Sequence, residues 1–304
     1  MSPRSAKQFK DIRKQKTELI METALELFAE NGFHATSMSQ IAKKAGISKG
    51  LAYNYFENGE IAYLFGDNVR LRTEPNSTSE TITFLKIGEQ IEIIEKTNVK
   101  NIFKGIESPW YKVKYGKKIG YILGGLISLT ERKIDNIRCF VTLEKIESKI
   151  YILTRVISDS KTSYFENKSE SHSENGGFCL KIFDNKGLEG ISNIIFINYL
   201  PESCGANSGG YYLFFDKKKL HKVIDVTSSG DVGIWESENL YFPKDSLGIK
   251  NRIIYIKEKG EYSESETNET EPDWEKSSKI KIKLEWINNK LSPEPKTFAN
   301  TVYN

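Results

Sequence analysis

The residues best typed and spaced for chemistry lie between Thr36 and Tyr55, and the chemistry they fit is recognition of phosphates and base edges. Ser37 with Gln40 three positions on makes a capping box. Ile41 and Ala42 face inward, Gly46 allows a sharp turn, and Ser48 caps a third short helix, KGLAYNYF, whose apolar contacts are Leu51 and Phe56. The start of that helix offers free N–H groups to phosphate. Lys49 and Gly50 are cationic or small enough to approach bases, Tyr53 and Tyr55 flank Asn54 and offer hydroxyls to a backbone, and Thr36 and Ser37 do the same from the helix before. Three helices that merely pack together remain the bland alternative on spacing alone.

A second group of reactive types, Ser228, Asp231, His221 and Cys204, invites a hydrolase reading. It has neither a nucleophile elbow nor a carboxylate pair, so no enzyme and no catalytic residue is expected. The three cysteines and three histidines are scattered without ligand spacing, and no metal or cofactor is expected.

The elements that must position the first group are read from periodicity. Ile20, Ala24, Leu27 and Phe28 recur at helical spacing, and Asn31-Gly32 closes that helix, giving a three-helix head over about 7–56. Positive charge is concentrated ahead of it, with Arg4, Lys7, Lys10, Arg13, Lys14 and Lys16 against Asp11, while the whole chain carries only +3. After Glu60 the pattern changes to short alternating runs: Val69 and Leu71, Ile82 and Phe84, Ile91 and Ile93, Val113, then Ile119 to Leu123. Five such strands in under seventy residues imply a small barrel. From about Ile134 a further series follows, from CFVTLEKI and KIYILTRVIS to NRIIYIKE and KIKIKLEWI, implying an antiparallel sandwich or barrel. The polar stretches SESHSENGG at Ser169 and YSESETNETEPDWE read as mobile loops.

The run IMETALELFAENGFHATSMSQIAKKAGISKGLAYNYFENGE resembles the DNA-binding domain of the TetR family of bacterial repressors, at Ala24, Phe28, Gly32, Phe33, Thr36, Ile41, Ala42, Ala45, Gly46, Ser48, Gly50, Tyr53 and Phe56. The resemblance implies Thr36 and Ser37 on one phosphate, Ser48 to Gly50 near base edges, and Tyr53 and Tyr55 on the opposite backbone. It covers residues 7–60. Members of the family continue into a fourth helix and a helical effector domain, whereas here ENGE leads into strand-like sequence.

Residues 61–130 resemble the bacterial SH3-like barrel, through NVRLRTEPN, LKIGEQIEII, WYKV and KIGYI. That likeness implies a binding module for a peptide, protein or cell-wall ligand. Tyr63, Tyr111 and Tyr115 are its candidate groove residues, while Trp110 and Tyr121 are expected to be structural.

The expected fold is therefore multidomain α+β: a three-helix helix-turn-helix head (1–60), an SH3-like β-barrel (61–130) and a β-rich antiparallel domain (131–304). The junction at Glu60 is expected to be a boundary with little shared core. Two functions stay open at this point. One is a cytoplasmic regulator that binds double-stranded DNA, as a homodimer when it reads two half-sites. The other is a cell-envelope SH3-like binding protein whose head is a fusion passenger. No run approaches the ~18 apolar residues of a membrane helix, and no export signal opens the sequence.

Overall fold

The structure, a computed structural model, describes residues 22, 23, 25–29, 56, 58–158, 163–172, 177–199, 208–231, 234–262 and 274–295. These residues form three antiparallel sheets. The first holds β1 (Ile61–Tyr63), β2 (Val69–Arg72), β3 (Thr81–Leu85), β4 (Gln90–Phe103), β5 (Ile106–Tyr115) and β6 (Lys118–Leu123), in the order β1-β4-β5-β6-β2-β3. The second holds β7 (Thr130–Ile134), β8 (Ile137–Ile146), β9 (Lys149–Ser158) and β10 (Tyr164–Glu170). The third runs in chain order: β11 (Phe178–Phe183), β12 (Asn193–Tyr199), β13 (Ser208–Phe215), β14 (Leu220–Asp231), β15 (Ile234–Tyr241), β16 (Ile253–Tyr262), β17 (Trp274–Ile287) and β18 (Lys290–Ser292). No helix among the described residues is long and apolar enough to cross a membrane.

Turn chemistry fixes the registers. The β4–β5 loop is Lys104-Gly105, and the β17–β18 loop is Asn288-Asn289, both with positive φ at each residue, the two-residue geometry that matches strand twist. In the first sheet, every second residue points to one interior: Ala62, Val69, Leu71, Leu85, Ile91, Ile93, Tyr111, Val113 and Ile122 share one buried cluster. Edge strands β1 and β3 both contribute to it, so the sheet wraps on itself as the barrel-like patterning requires.

The third sheet is buried on both faces near its start. Ile195, Ile197, Leu213 and Phe215 meet Cys139, Val141, Ile152 and Val156 of the second sheet. The alternate residues Ile194 and Phe214 join Leu240, Ile253, Tyr255 and Leu284 from the sheet's own later strands. Strands β12 and β13 are thus a middle layer, which is why NIIFINY reads as an apolar run rather than an alternation.

Two expectations are corrected. The α+β class with a three-helix head does not describe this structure: 66% of the described residues are strand and 5% helical. Helical residues near the start are Glu22, Thr23 and 25–29, where Thr23 and Leu27 are buried one turn apart and Leu25 is exposed. The expected second and third helices lie outside the described residues. Among the described residues, strands with period-two patterning recur from Ile61 to Ser292, and they set the class. The second correction concerns Ser169, expected in a mobile loop. It lies in β10, buried, between the paired positions Lys168↔Leu153 and Glu170↔Tyr151. Its polar neighbours alternate with half-buried ones because one face of this strand is solvated. Of the other expected loop, 263–273 lie outside the described residues.

The hydrolase quartet is not assembled. His221 and Ser228 share β14 seven residues apart, roughly 23 Å along the strand, Asp231 ends that strand, and Cys204 lies outside the described residues. His221 is instead tied to the β13–β14 turn, its Nε2 2.9 Å from Asp216 Oδ2, while Asp216 Oδ1 accepts from the N–H groups of Lys218 and Lys219. Burial pushes the Asp216 carboxyl up, but the His221 hydrogen bond and the two backbone donors outweigh it and hold the pKa below its usual value. The stability this adds is complete above the unfolded carboxylate value of about 4 and is lost as pH falls through the lower folded value. Asp216→Asn should cost about 1–2 kcal/mol at neutral pH, and urea melts below pH ~4 should show the gap to wild type closing.

Candidate functional site

The junction around Glu60 is stitched into the first sheet. The Gly59 N–H donates to the Ile93 carbonyl at 2.7 Å, and the Ile93 N–H donates to the Glu60 carbonyl at 2.9 Å. Gly59 has φ +83°, the left-handed conformation that lets Asn58-Gly59 turn the chain into β1. Pairing continues through Ile61↔Glu92, Ala62↔Ile91 and Tyr63↔Gln90, and the Ser128 N–H closes on the Tyr63 carbonyl at 2.8 Å.

Phe56 precedes this turn and packs on the barrel core. Its ring meets Tyr111 edge to face, centroids 5.5 Å apart at 79°, the arrangement that aromatic quadrupoles favour. Beside the two rings lies a cavity of about 150 Å³, also bounded by Phe103, Ser108, Thr142, Gly124 and Gly125. The glycine pair lets two of its walls approach the backbone: a Cβ on Gly125 would stand 2.5 Å from Phe103 Cδ1, and one on Gly124 2.9 Å from Tyr111 Cε2. At the rim Lys100 Nζ pairs with Glu107 Oε1 at 2.6 Å. The junction expected to share little core is thus hydrogen-bonded to β4 and packed on Tyr111.

The expected groove residues divide between two clusters. Tyr111 is buried at 1% exposure and belongs to the barrel interior. Tyr115, on the same strand, is half-buried against that interior. Its hydroxyl donates to Glu89 Oε1 at 2.8 Å, a bond that, with Glu89's charge, raises its pKa. Tyr63 instead packs on a separate cluster of Phe65, Ile87, Phe140 and Leu153, under the Arg138 guanidinium at 4.5 Å. Trp110 is buried and Tyr121 half-buried. The expected DNA-contact residues Thr36, Ser37, Ser48, Lys49, Gly50, Tyr53, Asn54 and Tyr55 lie outside the described residues. Phe56 was legible only as an apolar contact of the third helix. Its place two residues before an Asn-Gly turn into a strand was the available signal for docking.

The first and second sheets also share a boundary. Arg138 Nη1 donates to the Gly88 carbonyl and Arg155 Nη1 to the Phe65 carbonyl, each at 2.8 Å. Phe65 and Ile87 from one sheet are buried with Phe140 and Leu153 from the other.

Comparison with known proteins assigns both segments. The Uncharacterized HTH-type transcriptional regulator YuxN of Bacillus subtilis (strain 168) is 51% identical over 51 residues, which is 17% of this chain and 18% of that protein. The Fatty acid metabolism regulator protein of the same organism is 26% identical over 121 residues, 37% of this chain and 62% of that protein. A third, the Uncharacterized HTH-type transcriptional regulator YxaF, is 46% identical over 43 residues, 14% and 22%. The chain spans from about a fifth to about three fifths of the length of these relatives. No solved structure matches. Residues 20–60 match the family described as Bacterial regulatory proteins, tetR family, and residues 67–128 match the Bacterial SH3 domain, so one chain joins a TetR-type segment to an SH3-type segment.

Proposed function

We propose that this chain is a cytoplasmic transcription regulator that binds double-stranded DNA through its TetR-type segment, with the SH3-type barrel in place of a helical effector domain. The observation that carries the reading is the docking of Phe56 and Gly59 onto the barrel, since both residues lie inside the 20–60 match. A passenger has no reason to be packed into the core of the module it was fused to. Residues 1–60 read DNA, 61–130 hold the reader and sense a ligand, and 131–304 form the β body against which the barrel is braced. Thr36 and Ser37 take one phosphate, Ser48, Lys49 and Gly50 approach bases, and Tyr53, Asn54 and Tyr55 take the opposite strand. One short reading helix makes few contacts, so tight binding needs a homodimer on two half-sites.

Fluorescence anisotropy of the full chain on a labelled duplex tests this. Affinity should fall steeply between ~50 and ~200 mM salt as condensed counterions are released. Tyr53→Phe should weaken all sequences alike, by less than about tenfold, through one lost phosphate contact. Lys49→Ala should also relax sequence preference, by ~1–3 kcal/mol where the side chain reaches a base edge. Binding that is indifferent to salt and to both substitutions would leave the segment a passenger.

A further inference from the structure

We infer that the 150 Å³ cavity beside Phe56 is a ligand site for a neutral single-ring aromatic molecule carrying a hydroxyl, and that its occupancy is felt at the DNA-reading segment. The coupling rests on the proposed function; the site itself does not.

Size sets the first limit. A cavity of about 150 Å³ has room for a benzene-sized guest, and the walls here are mixed, with Lys100, Glu107, Ser108 and Thr142 beside the rings. Chemistry sets the second. Three aromatic rings, Phe56, Phe103 and Tyr111, bound the space, and a planar guest can meet them edge to face or offset. Ser108 and Thr142, at 8% and 3% exposure, contribute the hydroxyl-bearing walls, which suits one polar substituent rather than a hydrocarbon. The charges at the rim, Lys100 and Glu107, are paired at 2.6 Å, so an anion entering would have to break that pair or lie desolvated without it. A neutral guest meets neither cost. Gly125 lets the Phe103 ring lie against the backbone, so a side chain at that position would displace this wall of the cavity.

The consequence for DNA follows from geometry. Phe56 is at once a wall of the cavity and a residue of the TetR-type segment, and only Asn58 and Gly59 of the described residues stand between it and the fixed pairing of Glu60 with Ile93. A guest that fills the space must move Phe56 or stack on it. Either changes how the reading segment is held, and we expect displacement to weaken DNA binding.

The probe is p-cresol, with cyclohexanol as the non-aromatic control and benzoate as the anionic one. Titrated into the full chain without DNA, p-cresol should bind saturably by ligand-observed NMR, with transfer to the Tyr111 ring. Thr142→Val, which keeps the shape and removes the hydroxyl, should weaken it about fivefold, and both controls should bind at least tenfold more weakly. No saturable binding, or binding that ignores Thr142→Val and spares Tyr111, overturns the site; Ser108→Ala repeats the test if the valine variant does not fold. Saturating p-cresol should then weaken duplex binding severalfold in the wild type. Unchanged duplex affinity with the site filled overturns the coupling. A chain that takes p-cresol at Tyr111 but binds no duplex keeps the site and rejects the regulator reading instead.

Discussion

Arg155→Ala should cost the protein about 3 kcal/mol and loosen the barrel from the second sheet. The side chain is 13% exposed, and it makes three kinds of contact at once. Its Nε donates to Glu166 Oε2 at 2.6 Å, its Nη1 to the Phe65 carbonyl at 2.8 Å, and its guanidinium lies between the rings of Phe65 and Tyr164, at 4.3 and 4.0 Å from their centroids. Glu166 is partly exposed, so the ion pair itself contributes little. The larger losses are the donor to a half-buried carbonyl and the stacked guanidinium, worth about 1.5–3 and 0.5–2 kcal/mol. Denaturant unfolding of the variant should shift its midpoint and separate barrel fluorescence from the far-ultraviolet signal. A loss under 1 kcal/mol would mean that Phe65, Ile87, Phe140 and Leu153 hold the boundary alone.

Gly210→Ala should be worse, at 4 kcal/mol or more, or prevent folding, on the order expected when backbone strain and a buried clash coincide. Gly210 pairs with Asn198 on one side and Val226 on the other, in the middle layer of the body. Its φ is +151°, and a Cβ there would collide with the carbonyl oxygen of Ile197, a backbone atom that cannot step aside without breaking β12. Gly190 is the control. Its φ of +74° also disfavours alanine, but nothing lies within 4 Å of its Cβ position, so Gly190→Ala should cost only about 1–2 kcal/mol. Thermal melts of the two variants compare clash with strain directly.

Much of the β architecture was legible. KIYILTRVIS, GGYYLFFD and NRIIYIKE each carry the apolar residues of a strand between turn formers, and each is a strand. Strands β7, β10, β15 and β18 escaped: TERKI and KLS are short and polar, the polar residues of YFENKSE mask its alternation, and IWESENLY sets Glu238 beside Leu240 on its buried face, where the carboxylate accepts from the Thr227 N–H and the Tyr255 hydroxyl. The tyrosines show a related limit of residue type. Residue type marks Tyr111 as a candidate groove residue, but its burial with Val113 in the barrel core follows from its register on β5, and register depends on partners that sequence does not name. The change of structure near Glu60 was written in Asn58-Gly59. What lay beyond local pattern was that Phe56, a helix contact by spacing, belongs also to a core built from residues up to seventy positions later.

If the barrel holds the proposed DNA-reading segment through Phe56, the duplex affinity of Phe56→Ala will show it. The barrel should remain folded, because Phe56 is only partly buried against a core that is otherwise complete. The variant, with wild-type β content and a melting temperature lowered by only a few degrees, should bind the duplex about tenfold more weakly, equivalent to about 1.4 kcal/mol. An affinity equal to that of the wild type would contradict it and show that reader and barrel are independent passengers on one chain.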